Sequence, residues 1–260
     1  MSGAAIRSAV ILAAGQGQRL RAEVDGYPKG FLRLGERPIV EESILRLLAQ
    51  GIDDVVIVTG YCAGHYEALA RDYADRVRTV HNADFARSGS MYSLYCAREA
   101  VQGPFLLLES DLIYEPRALQ VLLAQPAADA ILLSGPTGAG DEVYVEAPGG
   151  LLRAMSKDRS RLGAAVSGEL VGISLISAGL FALMQDIAAQ AFGRSLKFDY
   201  ETDCLVAAAR ERPIACPLVP DLLWGEIDDP AQLRRARAGL HARIAALDAG
   251  AGRGIAPCTH

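Results

Sequence analysis

The stretch Ser8-Ala-Val-Ile-Leu-Ala13, continued by Ala14-Gly15-Gln16-Gly17-Gln18-Arg19-Leu20, decides how the rest of the chain is read. A short run of small and apolar residues has the composition of a strand buried on both faces, the kind found in parallel sheets. The turn after it carries little side chain at Ala13, Ala14, Gly15 and Gly17. Main chain there can approach a ligand closely, and successive amides can form an anion-binding concavity. Arg19 adds a planar, permanently charged fork. Neither common nucleotide loop fits, because a dinucleotide fingerprint needs glycine where Leu20 stands and no Gly-Lys-Ser/Thr follows. The plainer reading is a strand-to-helix turn whose glycines serve geometry alone.

Outward from this loop, apolar runs of strand length alternate with segments of helical period. Helices are expected over 39–50, 63–73, 90–100 and 116–124, and strands over 55–59, 77–81, 105–108 and 130–133. This rhythm predicts an α/β fold with a mainly parallel sheet flanked by helices on both faces. Past about residue 135 it changes: segments 142–146 and 151–156 flank Pro148-Gly149-Gly150, a hairpin signal. The second half should therefore carry a smaller β-containing insertion. Strands over 168–176 and 214–219 and helices over 178–191 and 200–210 follow, and Pro230 opens a last helix to about residue 247. No repeat or linker divides the chain, so 1–247 reads as one domain with halves meeting near 135, and the tail 248–260 is expected to fray.

Composition narrows the function. With 260 residues, 51% hydrophobic and 22% charged, the chain can bury an ordinary core. A net charge of -5 repels polyanions, so nucleic acid is not an expected partner, and any phosphate must be held by local cations, amides or a metal. No run approaches the roughly 18 apolar residues of a membrane span and no leader is evident, so no membrane partner and a cytoplasmic location are expected. The five cysteines contain no C-x-x-C pair, and the four histidines no ligand pair at helical spacing. Of 26 basic residues only Lys29, Lys157 and Lys197 are lysine. Where arginine is the default, Lys29 in Tyr27-Pro28-Lys29-Gly30 suggests a need for a compact point charge, although an exposed loop lysine fits too.

These residues also carry a likeness. Leu12 to Arg19, Pro28-Lys29, Pro38-Ile-Val-Glu-Glu and Val55-Val-Ile-Val-Thr-Gly-Tyr61 resemble the opening of the nucleotidyltransferases that activate sugar phosphates, phosphocholine and phosphonates. Ser88-Gly-Ser-Met-Tyr-Ser-Leu-Tyr95 with Leu107-Leu-Glu-Ser-Asp-Leu112 resembles their cytidylyltransferase branch. Trp224-Gly-Glu-Ile-Asp228-Asp229-Pro230 is similar to the Glu-Ile-Asp of phosphocholine and 2-aminoethylphosphonate cytidylyltransferases. The resemblance runs to about residue 240. It implies a Rossmann-like mixed sheet with a substrate-side insertion, and a phosphonate or phosphate oxygen attacking the α-phosphorus of CTP with pyrophosphate leaving. Such chemistry asks for positioning and charge neutralisation, not a covalent nucleophile.

On that reading Leu12, Ala13, Ala14, Gly15, Gln16 and Gly17, with Lys29 and Arg19, hold the triphosphate. Ser88, Ser90 and Ser93 face cytosine and ribose, although Ser88 and Ser90 would equally suit a helix N-cap. Magnesium prefers oxygen ligands and is assigned to Asp111, where a buried strand ends, and to Asp228 with Glu226, which alternate on an extended run. Glu109 would support Asp111, and Asp229 beside Pro230 would cap the last helix. A turn at Asp111 and a cap at Asp228 are the plainer alternatives. Lys157 matches a cation that the family often places beside the attacking phosphate, and a hairpin-rim lysine fits as well. Glu169, Asp199, Tyr200 and Glu201 could face an acceptor ammonium group, with Tyr200 covering it by cation-π contact, while Asp199 would also suit a cap. Low aromatic content disfavours a choline cage, so a primary amine such as 2-aminoethylphosphonate is the first expectation. Phosphocholine, a sugar 1-phosphate with another NTP, and a non-catalytic nucleotide-binding domain stand as alternatives. The reading admits a homodimer without requiring one.

Overall fold

In a computed structural model, which describes residues 6–20 and 26–251, strand β1 (Ser8–Ala13) is buried along its whole length at the middle of the sheet. It runs parallel to β2 (Asp54–Thr59) on one side and to β4 (Phe105–Glu109) on the other, and β2 pairs in parallel with β3 (Val77–His81). Two-residue periodicity sends its side chains to two cores. Ala9, Ile11 and Ala13 pack with Val40, Ile44 and Leu47 of α1 (Ile39–Ala49), with Tyr66 of α2 (Ala63–Arg71), and with Leu119 of α4 (Arg117–Leu123). Val10 and Leu12 pack with Met91 and Leu94 of α3 (Ser90–Cys96) and with Leu180 and Met184 of α5 (Ala178–Phe192). Each fully buried Val, Leu, Ile or Met side chain among them contributes roughly 1.5–3 kcal/mol. These two layers, not the polar edge above them, carry the stability.

Past β4 the sheet turns antiparallel around β9, where the sequence rhythm changed to a β-containing insertion. The nine-residue β9 (Gly168–Ile176) inserts between β4 and β6 (Ala130–Ser134) and runs against both. The expected hairpin hangs from β9 as β7 (Tyr144–Glu146) and β8 (Ala154–Ser156), joined through a tight turn at Pro148–Gly150. The strand expected over 214–219 contracts to β10 (Leu218–Val219), preceded by isolated bridges from Ala215 to Ala130 and Leu151. Tyr200–Leu205 forms a widened helical turn that leads into α6 (Val206–Ala208).

Two short strands gave no readable periodic signal: β5 (Leu112–Tyr114) and β11 (Trp224–Glu226) pair antiparallel as a separate ribbon. The last helix differs as well. It starts as α7 (Pro230–Arg235), widens at Ala236–Leu240 around Gly239 at φ 140, and resumes as α8 (His241–Ala251). Residues 248–251 are helical rather than frayed, because Arg46, whose side chain is only 6% exposed, binds Asp248 with two nitrogens at 3.0 and 2.6 Å. A buried guanidinium requires such a counter-charge. Residues 252–260 of the expected tail lie outside the described residues. Among the described residues, no helix is long and apolar enough to cross a membrane.

Candidate active site

The loop after β1 leaves the sheet at its carboxyl edge, where parallel α/β sheets bind ligands. Leu12, Ala13 and Ala14 are buried, Gly15 is exposed, and Gln16 and Gly17 are half-buried. Leu12 accepts from the Ser110 amide at 3.0 Å and Ala14 from the Tyr61 amide at 3.2 Å, which fixes the loop between the ends of β4 and β2. Gly17 has φ 55, and a Cβ there would lie 2.6 Å from Cγ of Lys29. Only glycine allows both that backbone shape and the passage of the lysine stem. Gly60 is equally confined, since its Cβ would meet the Ala14 carbonyl at 2.8 Å.

The serine segment is nearby but differently occupied. Asn82, fully buried, donates to Ser88 Oγ and Ser93 Oγ at 3.0 Å each. Ser90 Oγ accepts from the Tyr200 amide and donates to Asp199, which also accepts from the Ser90 amide at 3.3 Å. The N-cap of α3 is Gly89, without a side-chain cap, so neither Ser88 nor Ser90 caps it. Asp199 likewise makes no capping bond to its own turn.

Three elements far apart in sequence bring the carboxylates together. Ribbon pairing sets Glu226 opposite Leu112, and the Ile227 amide donates to the Asp111 carbonyl at 3.1 Å. Ile227 is fully buried while its neighbours Glu226 and Asp228 project into the cleft. Asp111 is 3% exposed, and the Lys29 ammonium lies between it and Asp228, bonded to both. Arg19 reaches Asp228 at 2.6 Å from an exposed position. Asp229 caps α7 as expected, accepting from the Ala231 and Gln232 amides. Asp228 is thereby free of that role.

Carboxylate oxygens of Glu109, Asp111 and Glu226 lie within 4.8 Å of one another, and so do those of Asp141, Glu226 and Asp228. Burial, reinforced by neighbouring carboxylates, pushes Glu109 and Glu226 well above the ordinary range and also raises Asp111. Burial works against ionisation of Asp228 too, but Lys29 and Arg19 outweigh it and hold that carboxyl low. Burial opposes the Lys29 charge, and Asp111 and Asp228 outweigh it in turn. Five acidic groups share one buried lysine and one exposed arginine, so the cluster is short of positive charge. Hard oxygen donors around a position where an ammonium already stands fit a divalent cation such as magnesium.

Beside the cluster opens a cleft of about 690 Å³, lined by Lys29, Glu109, Asp141, Lys157, Glu201 and Glu226 among others. Burial pushes the Glu201 carboxyl up to about 7, and the Lys157 charge pulls it the other way. Lys157, Asp199 and Glu201 border the cleft. Two expectations fail. Tyr200 is fully buried with its hydroxyl beside Glu109 and Glu201, so its ring cannot cover a ligand in the cleft. Glu169, also buried, is not among the lining residues and instead accepts from the Thr137 amide and hydroxyl at 2.8 and 2.7 Å. Asp141 was overlooked; its signal is a second glycine-rich loop, Gly138-Ala-Gly140-Asp141, following a buried strand. Glu109 joins the carboxylate cluster itself rather than only supporting it.

A Rossmann-like α/β sheet with a glycine-bearing loop and converging carboxylates at its edge defines a nucleotide-transferring class of protein. The chain belongs to the MobA-like NTP transferase domain family, whose pattern matches residues 9–249. It is 32% identical over 244 residues to CMP-5'-(3-aminopropyl)phosphonate synthase of Streptomyces rubellomurinus, covering 88% of this chain and 38% of that protein. To the choline-phosphate cytidylyltransferase of Streptococcus pneumoniae it is 32% identical over 107 residues, 41% of this chain and 46% of that one. The chain thus spans less than half the length of both curated relatives. Its fold superposes on the inositol-1-phosphate CTP transferase from T. maritima with TM-score 0.78 at 21% identity, over 92% of this chain and 96% of that one.

Proposed function

We propose that the chain transfers CMP from CTP to a small aminophosphonate, 2-aminoethylphosphonate first, releasing pyrophosphate. The observation that carries this reading is that Lys29, Glu226, Asp228, Lys157 and Glu201 border one cleft, with Asp111 bonded to the same Lys29. Amides and small residues of Leu12 to Gly17, with Arg19 and Lys29, take the triphosphate. Asp111, Asp228 and Glu226 hold magnesium, which supplies charge neutralisation at the phosphate oxygens when bound. Lys29 then turns its ammonium from the two carboxylates toward the phosphates. Lys157 orients the acceptor oxyanion, and Glu201 with Asp199 attracts its ammonium group. Ser90 and the Asn82-held Ser88 and Ser93 shape the nucleoside side.

A primary amine is favoured over a quaternary one. Trp224 is the one aromatic side chain among the described residues lining the cleft, and a choline cage needs several rings. The relative named CMP-5'-(3-aminopropyl)phosphonate synthase supports the same acceptor class. Pyrophosphate release should be measured with each common ribonucleoside triphosphate against 2-aminoethylphosphonate, 3-aminopropylphosphonate, phosphocholine and glucose 1-phosphate. The reading expects CTP with an aminophosphonate to exceed every other pair. Preference for phosphocholine or glucose 1-phosphate would overturn it, and CTP binding without turnover would make the chain a nucleotide-sensing domain.

A further inference from the structure

Residues 135–143, the loop between β6 and β7, form one wall of the cleft. Gly138 and Gly140 have positive φ. Besides the ion pair of Arg19 with Asp141 at 4.0 Å, three side-chain ties distant in sequence hold the loop. Glu169 grips its stem at Thr137. Arg235 donates to the Gly138 and Ala139 carbonyls at 3.1 and 3.0 Å. At the far end, Gln232 Nε2 donates to the Asp141 carboxylate at 2.6 Å.

Gln232 is only 4% exposed, and its carbonyl oxygen accepts from the Asp228 amide at 2.6 Å and the Asp229 amide at 3.2 Å. The Asp229 bond belongs to the capping box of α7. A glutamate would complete such a box equally well, because the box asks only for an acceptor. The donor end of the amide has no part in capping, and it is the end that reaches Asp141. One buried side chain therefore joins the backbone of Asp228 to the loop that walls the cleft.

We propose that Gln232 is a positioning residue: its amide docks the loop 135–143 against the Asp228 edge and so sets how tightly the cleft holds its acceptor. The inference rests on the reading of that cleft as the acceptor site. Gln232→Glu keeps the cap acceptor, removes the donor and opposes two carboxylates. The acceptor KM should rise about tenfold or more, the scale for losing a hydrogen bond to a charged partner, while kcat stays within about threefold. Hydrogen exchange at the amides of 138–141 should quicken while α7 remains protected. Asp141→Ala, which leaves α7 untouched, should quicken exchange at 138–141 as well. In the double variant Asp141→Asn/Gln232→Glu, donor and acceptor trade places at unchanged net charge, and both readouts should return toward the original protein.

Unchanged exchange at 138–141 in the single variants, or no recovery in the double variant, overturns the tie. If exchange responds but the acceptor KM does not, the positioning role is overturned and the acceptor binds elsewhere. If no acceptor is turned over at all, the proposed function fails while the exchange measurements still decide the tie.

Discussion

On the parallel side of the sheet, the loop after β1 presents main chain, small residues and a single buried lysine whose stem crosses Gly17. On the antiparallel side, the wall of the cleft is made of charged side chains drawn from β4, the ribbon strand β11, the turn at Tyr200 and the loop 135–143. Amides cannot change charge and are set by backbone shape, so the first side suits a group common to many substrates. Side chains can be exchanged one at a time, so the second suits whatever distinguishes one acceptor from another. The Asp111–Lys29–Asp228 group sits where the two sides meet.

Removing that junction should have the largest effect. Asp228→Ala is expected to lower kcat/KM about a thousandfold, equivalent to about 4 kcal/mol of transition-state stabilisation. Its thermal midpoint should move by only a few degrees, since one like charge leaves a crowded cluster. Steady-state kinetics over a magnesium titration and calorimetry check both parts. A rate near normal at limiting magnesium would remove Asp228 from the cation site. Lys29→Ala comes next. It should cost at least an order of magnitude in turnover and about 3–5 kcal/mol of stability, because it strips the buried Asp111 of its cation and leaves Asp228 only the exposed Arg19. Chemical denaturation measures the second quantity, and full stability would show that the pair does not depend on the lysine.

The acceptor side should respond in a substrate-dependent manner. Glu201→Gln is expected to raise KM for an aminophosphonate about tenfold and leave methylphosphonate, which lacks the amine, unchanged. Since burial holds this carboxyl near 7, it gains charge as pH rises through about 7, and the KM for the amine should fall over that interval in the original protein. An equal effect on both acceptors would assign Glu201 to general architecture. The smallest effect belongs to Arg19→Ala. Its side chain is 58% exposed, so its ion pair with Asp228 should contribute less than about 1 kcal/mol, while KM for CTP rises severalfold. A loss of stability matching that of Lys29→Ala would erase the distinction drawn between a buried cation and a solvated one.

Sequence legibility followed the same division. β1, its glycine loop and the buried helices α1 and α5 could be read because local periodicity and local residue choice produce them. Asp111, Glu226 and Asp228 were readable as acids at strand ends, but not the three-residue ribbon that joins them, which is too short to carry a period. Tyr200 and Glu169 were misassigned for one reason. Each has the right chemistry for a ligand, and only the packing shows that burial removes the first from the cleft and Thr137 occupies the second. Asp141 lacked any periodic context, and the break at Gly239 looked like an ordinary glycine in a helix. Asp248 stayed in register because of a buried arginine some 200 residues earlier, a pairing with no local trace.

Lys29 and Asp228 stand 199 positions apart. A ribosome threading this chain would have released the triphosphate loop, both hydrophobic layers and most of the sheet before the last carboxylate emerged. Until then Lys29 has one counter-ion instead of two, and the cation position is half built. Chains cut short before that point lack one of the two carboxylates that flank the lysine, whatever part of the interior they fold.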